Sequence, residues 1–117
     1  MSLALNVLGT PLESCCFDPL TGYMRDGYCK TMSEDTGTHI LCAEVDANFL
    51  EFTRLKGNDL STPLPLYNFP GLNPGDKWCL CISRWLEALK EGVAPKLILE
   101  ACHEKALDYT SLETLKF

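Results

Sequence analysis

Turn chemistry dominates the first third of this chain, and three of its seven cysteines lie inside it. Turn signals recur at Gly9-Thr10-Pro11, Asp18-Pro19, Thr21-Gly22, Asp26-Gly27 and Thr36-Gly37. Each combines residues that favour tight turns or tolerate unusual backbone angles with residues that interrupt regular structure. A stretch of about thirty residues with so little periodicity stays ordered in a compact domain only where function or a cross-tie holds it. The vicinal pair Cys15-Cys16 and the single Cys29 point to such a tie.

The tie is not needed to make up for a missing core. A chain of 117 residues, 46% hydrophobic, fits a single domain over residues 1–117. It is long enough to bury roughly two thirds of its unfolded surface. A net charge of −6 with no basic run argues against general affinity for nucleic acid or for an anionic membrane. The first eight residues lack both a basic start and a sustained apolar run. No segment reaches the roughly 20 apolar residues of a membrane span. The expectation is a cytoplasmic protein, where thiols are held reduced and clustered cysteines serve metal or thiol chemistry rather than bridges. An odd count of seven forbids complete internal pairing in any case.

Regular structure is expected from residue 39 onward. Residues 39–45 read as a strand and Asp46 as an N-cap; 47–56 follow as a helix stopped by Gly57. A second loop, 58–76, carries Pro63, Pro65, Pro70 and Pro74. Residues 77–82 then read as a strand, Ser83 as a cap, 84–91 as a helix closed by Gly92, and 96–102 as the strongest strand of the chain. Strand, helix, strand suggests a parallel crossover. Residues 106–110 suggest one more strand, and Ser111 caps a terminal helix to Phe117. The fold class is α+β: a small single domain with a mixed β-sheet, two or three short helices, and two long ordered loops at 9–38 and 58–76. The strand-helix stretches 42–57 and 81–92 look faintly alike, but the spacing fits no established repeat.

Chemistry is sought where those loops meet strand ends. On a strand, residues i and i+2 share a face, so Cys79 and Cys81 present two sulfurs together with Lys77 and Ser83. They serve as a reactive pair or as soft ligands, or else pack as small hydrophobes. Cys16 and Cys29, with a histidine, form a candidate metal set, and thiolate with imidazole suits zinc. Of the two histidines, His103 stands at a strand end beside Glu104, the better position for a general acid or base. His39 begins a strand and ranks below it. Arg25, Asp26, Asn58, Asp59 and Arg84 are the polar groups expected to bind a ligand, with Trp78 and Trp85 nearby to shape a pocket for a small anionic or planar molecule. Trp85, in register with Ala88 and Leu89, reads as core.

Several motifs carry a family resemblance. Asn58-Asp59-Leu60-Ser61-Thr62-Pro63, Phe69-Pro70-Gly71-Leu72, Pro74-Gly75-Asp76, Trp78-Cys79-Leu80-Cys81, Arg84-Trp85 and His103-Glu104-Lys105-Ala106-Leu107 closely resemble domain-of-unknown-function family 2237. So do Asn6-Val7-Leu8-Gly9, Cys15-Cys16, Asp18-Pro19-Leu20-Thr21-Gly22, Arg25-Asp26-Gly27 and Cys29. The resemblance spans nearly the whole chain and implies no particular activity, cofactor or catalytic residue. Cys102 departs from it, standing where relatives usually have Thr, which weakens any scheme that needs that thiol. Three readings follow from the residues: a small-molecule site, with a histidine and a thiol under the two loops able to serve an enzyme; a zinc-bound module; and an interaction domain whose cysteines are core.

Overall fold

A computed structural model describes residues 4–23, 25–32, 35, 38–67 and 69–116. The expected turn at Thr36-Gly37 lies outside them. Strand β1 (His39–Glu44) forms the centre of a three-stranded sheet, flanked by β2 (Lys77–Cys81) and β3 (Lys96–Leu97) in the order β2-β1-β3. Helix α1 (Ala47–Leu55) joins β1 to the second loop, α2 (Ile82–Lys90) joins β2 to β3, and α3 (Leu112–Lys116) closes the chain. This is a small α+β fold.

The expected mixed sheet is corrected: both pairings are antiparallel. β2 and β3 do run parallel to one another, since each opposes β1. The crossover through α2 therefore steps over the central strand instead of pairing its two ends. Two expected strands are also replaced. Only Lys96–Leu97 pairs as β3, and Leu99–Ala101 turns as a 3-10 helix. The segment rejoins β1 farther along, where the His103 amide donates to the Ile40 carbonyl. Ala101 and Cys102 are both buried in this turn. Residues Glu104–Asp108 form another 3-10 helix in place of the last expected strand.

The helices follow their local signals more closely. The Asp46 carboxylate accepts from the Phe49 amide at 2.8 Å, and α1 buries Phe49, Leu50 and Thr53. Helix α2 starts one residue before the expected cap and buries Ile82, Trp85 and Ala88. Trp85 is core, its indole N–H donating to the Pro95 carbonyl at 3.0 Å. Ser111 accepts from the Thr114 amide and caps α3.

The first loop is held by named bonds rather than by regular structure. Val7 and Glu13 donate their amides to the carbonyls of Cys102 and Glu100, and Leu5 accepts from Glu104. Asn6 is buried and pins this crossing. Its amide donates to Thr10 Oγ1 at 2.7 Å and to the Glu100 carbonyl at 3.0 Å, while its oxygen accepts from the amides of Leu8 and Thr10. Farther on, Thr21 Oγ1 accepts from the Cys79 amide at 2.8 Å, fastening the loop to the outer edge of β2. The second loop closes through Leu72 to Leu60 and through Gly75 to Val45.

Candidate functional site

Cys42 on β1 and Cys79 on β2 are direct partners in the strand register. They do not bond to each other. Each takes a cysteine from the first loop: Cys15 is bridged to Cys42, and Cys29 to Cys79. All four are buried, and the sulfurs of Cys15, Cys29 and Cys79 lie within 4.8 Å of one another. The expectation of unbridged thiols is corrected here, while the expected tie on the first loop is found in these two bonds. By chain-closure entropy, spans of 27 and 50 residues make each bridge worth about 3–4 kcal/mol.

Cys79, expected as a reactive thiol, is therefore consumed in a bridge, and so is Cys29 of the candidate metal set. Cys16 is a free, half-buried thiol outside the sulfur group. Cys81 is also free and half-buried, with its sulfur 3.0 Å from Ser83 Oγ. Cys102 is free but inert: burial pushes its thiol up to about 12.

Beside the sulfur cluster the two loops frame an open cleft of about 540 Å³. Its walls include Arg25, Asn58, Asp59, Tyr67, Phe69 and Trp78. Phe69 packs edge-on against Trp78 at 5.1 Å, and the Arg25 guanidinium lies 5.1 Å from the Trp78 ring centroid. Arg25 reaches that position from a tight turn, in which its guanidinium donates to the Gly22 carbonyl at 2.8 Å. A smaller lobe of about 200 Å³ continues past Trp78 to Cys81 and Arg84.

His39 lines both lobes. Its Nδ1 lies 2.6 Å from the carboxylate of Asp35, which is buried and also accepts from the His39 amide and the Thr31 hydroxyl. Burial opposes ionisation of Asp35, but these His39 and Thr31 contacts outweigh it and hold the carboxyl below its ordinary value. With Nδ1–H donated to Asp35, Nε2 is the ring nitrogen left to accept a proton. His39 and Cys81 are register partners across β1 and β2, beside a bulge between His39 and Leu41, and both line the smaller lobe.

The structure brings together Arg25, Asn58, Asp59, Arg84, Cys79 and Cys81 among the expected residues, and leaves others apart. Asn58 and Asp59 are also structural: Asn58 donates to Thr53 Oγ1, and Asp59 accepts from the Ser61 and Thr62 amides. Arg84 donates to the Lys56 carbonyl beyond the end of α1. Asp26 is paired with Lys30 at 3.0 Å and is not among the cleft-lining residues. His103 and Glu104 lie at the seam with the N-terminal segment, where His103 Nδ1 accepts from the Lys105 amide. The pair missed from sequence is Asp35 with His39. An i, i+4 spacing of carboxylate and imidazole was the available signal, hidden inside a segment without periodicity.

The scan against family models matches residues 5–117 to a family described as "Uncharacterized protein conserved in bacteria (DUF2237)". The chain belongs to this family. No curated protein matches it. The family's description assigns no chemistry, but the motifs behind the resemblance now have places. Arg25, Asn58-Asp59 and Trp78-Cys79-Leu80-Cys81 converge on one cleft from three separate segments.

Proposed function

We propose that the protein binds a small, planar, anionic molecule in the cleft, and that the Cys81 thiol with the His39–Asp35 pair gives the site the means for covalent chemistry. The observation that carries the reading is the convergence of an aromatic wall, a stacked guanidinium and an imidazole oriented by a buried carboxylate. A guanidinium has five N–H donors, and Gly22 takes one, so Arg25 can hold a carboxylate while Trp78 and Phe69 offer flat apolar surface. In a covalent step, Cys81 Sγ would add to the β-carbon of a ligand C=C conjugated to its carbonyl, the C=C π pair moving toward the carbonyl and taking a proton at the α-carbon. Its proton would pass to His39 Nε2, and Asp35 would hold the imidazole that receives it.

A small molecule fits the net charge of −6 better than a nucleic acid does. No helix among the described residues is long and apolar enough to cross a membrane. Cytoplasmic placement draws support from the free, half-buried thiols of Cys16 and Cys81, whereas the two buried bridges weigh toward an oxidising compartment.

The test is a fluorescence titration with a panel of aromatic carboxylates, benzoate first. Trp78 reports from the cleft and Trp85 from the core. Binding should change the emission, disappear in Arg25→Met, and protect Cys81 but not Cys16 from iodoacetamide. A panel without a binder, or binding indifferent to both Arg25→Met and Trp78→Phe, overturns the reading.

A further inference from the structure

The four bridged cysteines occupy a geometry that suits more than two disulfides. Cys42 and Cys79 face the loop from neighbouring strands, and Cys15 and Cys29 face them from it. Three of the sulfurs are mutually within 4.8 Å, and the fourth, on Cys42, is bonded to one of them. A tetrahedral zinc-thiolate centre has Zn–S bonds of about 2.3 Å, which puts its sulfurs about 3.8 Å apart. The Cys42 sulfur lies outside that 4.8 Å group, so once the two S–S bonds break its side chain must turn toward Cys29 and Cys79 to take the fourth position, while the sulfurs of Cys15, Cys29 and Cys79 already stand near the required spacing. All four side chains are buried, so the site is closed, as in structural zinc centres that keep no position open for substrate. Among its described residues the loop they hold contains no regular helix or strand before β1, and it needs a tie whether or not the bridges are intact.

We propose that Cys15, Cys29, Cys42 and Cys79 form a redox-gated structural zinc site: two disulfides when oxidised, one tetrathiolate centre when reduced. This differs from a Cys16–Cys29–histidine set in using Cys15 and no imidazole. It does not depend on a ligand in the cleft. Reduction consumes two equivalents of a dithiol donor, yielding four protein thiols and two donor disulfides. One Zn2+ then displaces four protons as the thiolates bind. In the reverse direction, two equivalents of hydrogen peroxide with four protons oxidise the tetrathiolate to two bridges, release Zn2+ and leave four waters. In a reducing compartment the metal would take over the work of the bridges; on oxidation the bridges would resume it.

The experiment uses the full chain, reduced with a phosphine and freed of reductant without oxygen, then titrated with Zn2+ and, as a spectroscopic probe, Co2+. One equivalent should bind, with cobalt showing sulfur-to-metal charge transfer. Mass mapping after alkylation should find Cys15, Cys29, Cys42 and Cys79 protected and Cys16 and Cys81 modified. Cys79→Ser should lose the site, while the double variant Cys16→Ser, Cys81→Ser should keep it. If reduction unfolds the chain, Zn2+ should restore its circular dichroism. A reduced chain that takes up no zinc, that binds it with any of the four still modified, or that stays unfolded with zinc present overturns the proposal.

Discussion

Asn6 shows how much one buried side chain can do where regular structure is absent. Its amide serves both ends of a tight turn and the distant Glu100 carbonyl. Truncation strands several of these groups, at roughly 1–3 kcal/mol for each one left buried and unpaired. Asn6→Ala should therefore lower the unfolding free energy by about 3 kcal/mol in a urea titration, with little change in slope. From sequence, Asn6 is only the first residue of a family-like motif; the role needs the Glu100 carbonyl beside it, across most of the chain. His103 makes a different point. Its position by Glu104 suggested catalysis, but the ring accepts from Lys105, and burial lowers its pKa against the smaller raising effect of Glu104. The unfolded chain takes up this proton near its ordinary value of about 6.5, and the folded chain only at lower pH. The associated stability is therefore complete above about 6.5 and is lost as pH falls through the folded value. His103→Asn should lose less stability than the parent between pH 7.5 and pH 5, measured by urea unfolding. An equal loss in both would show that the imidazole is not buried as described.

Helices α1, α2 and α3 were legible to within one or two residues, because caps and apolar spacing are local signals. Strands were less so. The segment after Pro95 is apolar enough for a strand, yet it pairs over two residues and then turns, since pairing partners are set by the whole sheet and not by local composition. The cleft depended on a still less visible element, the turn that carries Arg25. Gly22 holds it at a φ of +101°, and a β-carbon there would stand 2.4 Å from the Tyr28 carbonyl oxygen. Gly22→Ala should destabilise the fold by about 2 kcal/mol or more. It should also weaken benzoate binding by displacing Arg25 from Trp78; unchanged affinity would detach the turn from the site.

At the level of the whole molecule, the pairing of the cysteines is not written in their spacing along the chain. The pair Cys15-Cys16 marks the tie, but the candidate metal set takes Cys16 where the bridge takes Cys15, because in a vicinal pair nothing local decides which residue turns inward. The strand register decides it, by placing Cys42 opposite Cys79 and leaving room for two more sulfurs above them. The strand order has a consequence of another kind. A three-stranded sheet has two open flanks, and an open flank invites a strand from another chain. Here the β2 flank has its Cys79 amide already taken by Thr21, and β3 is only two residues long before the chain turns away. A neighbouring copy would find little backbone to zip onto, so the molecule can crowd against its own kind with small risk of growing into fibres.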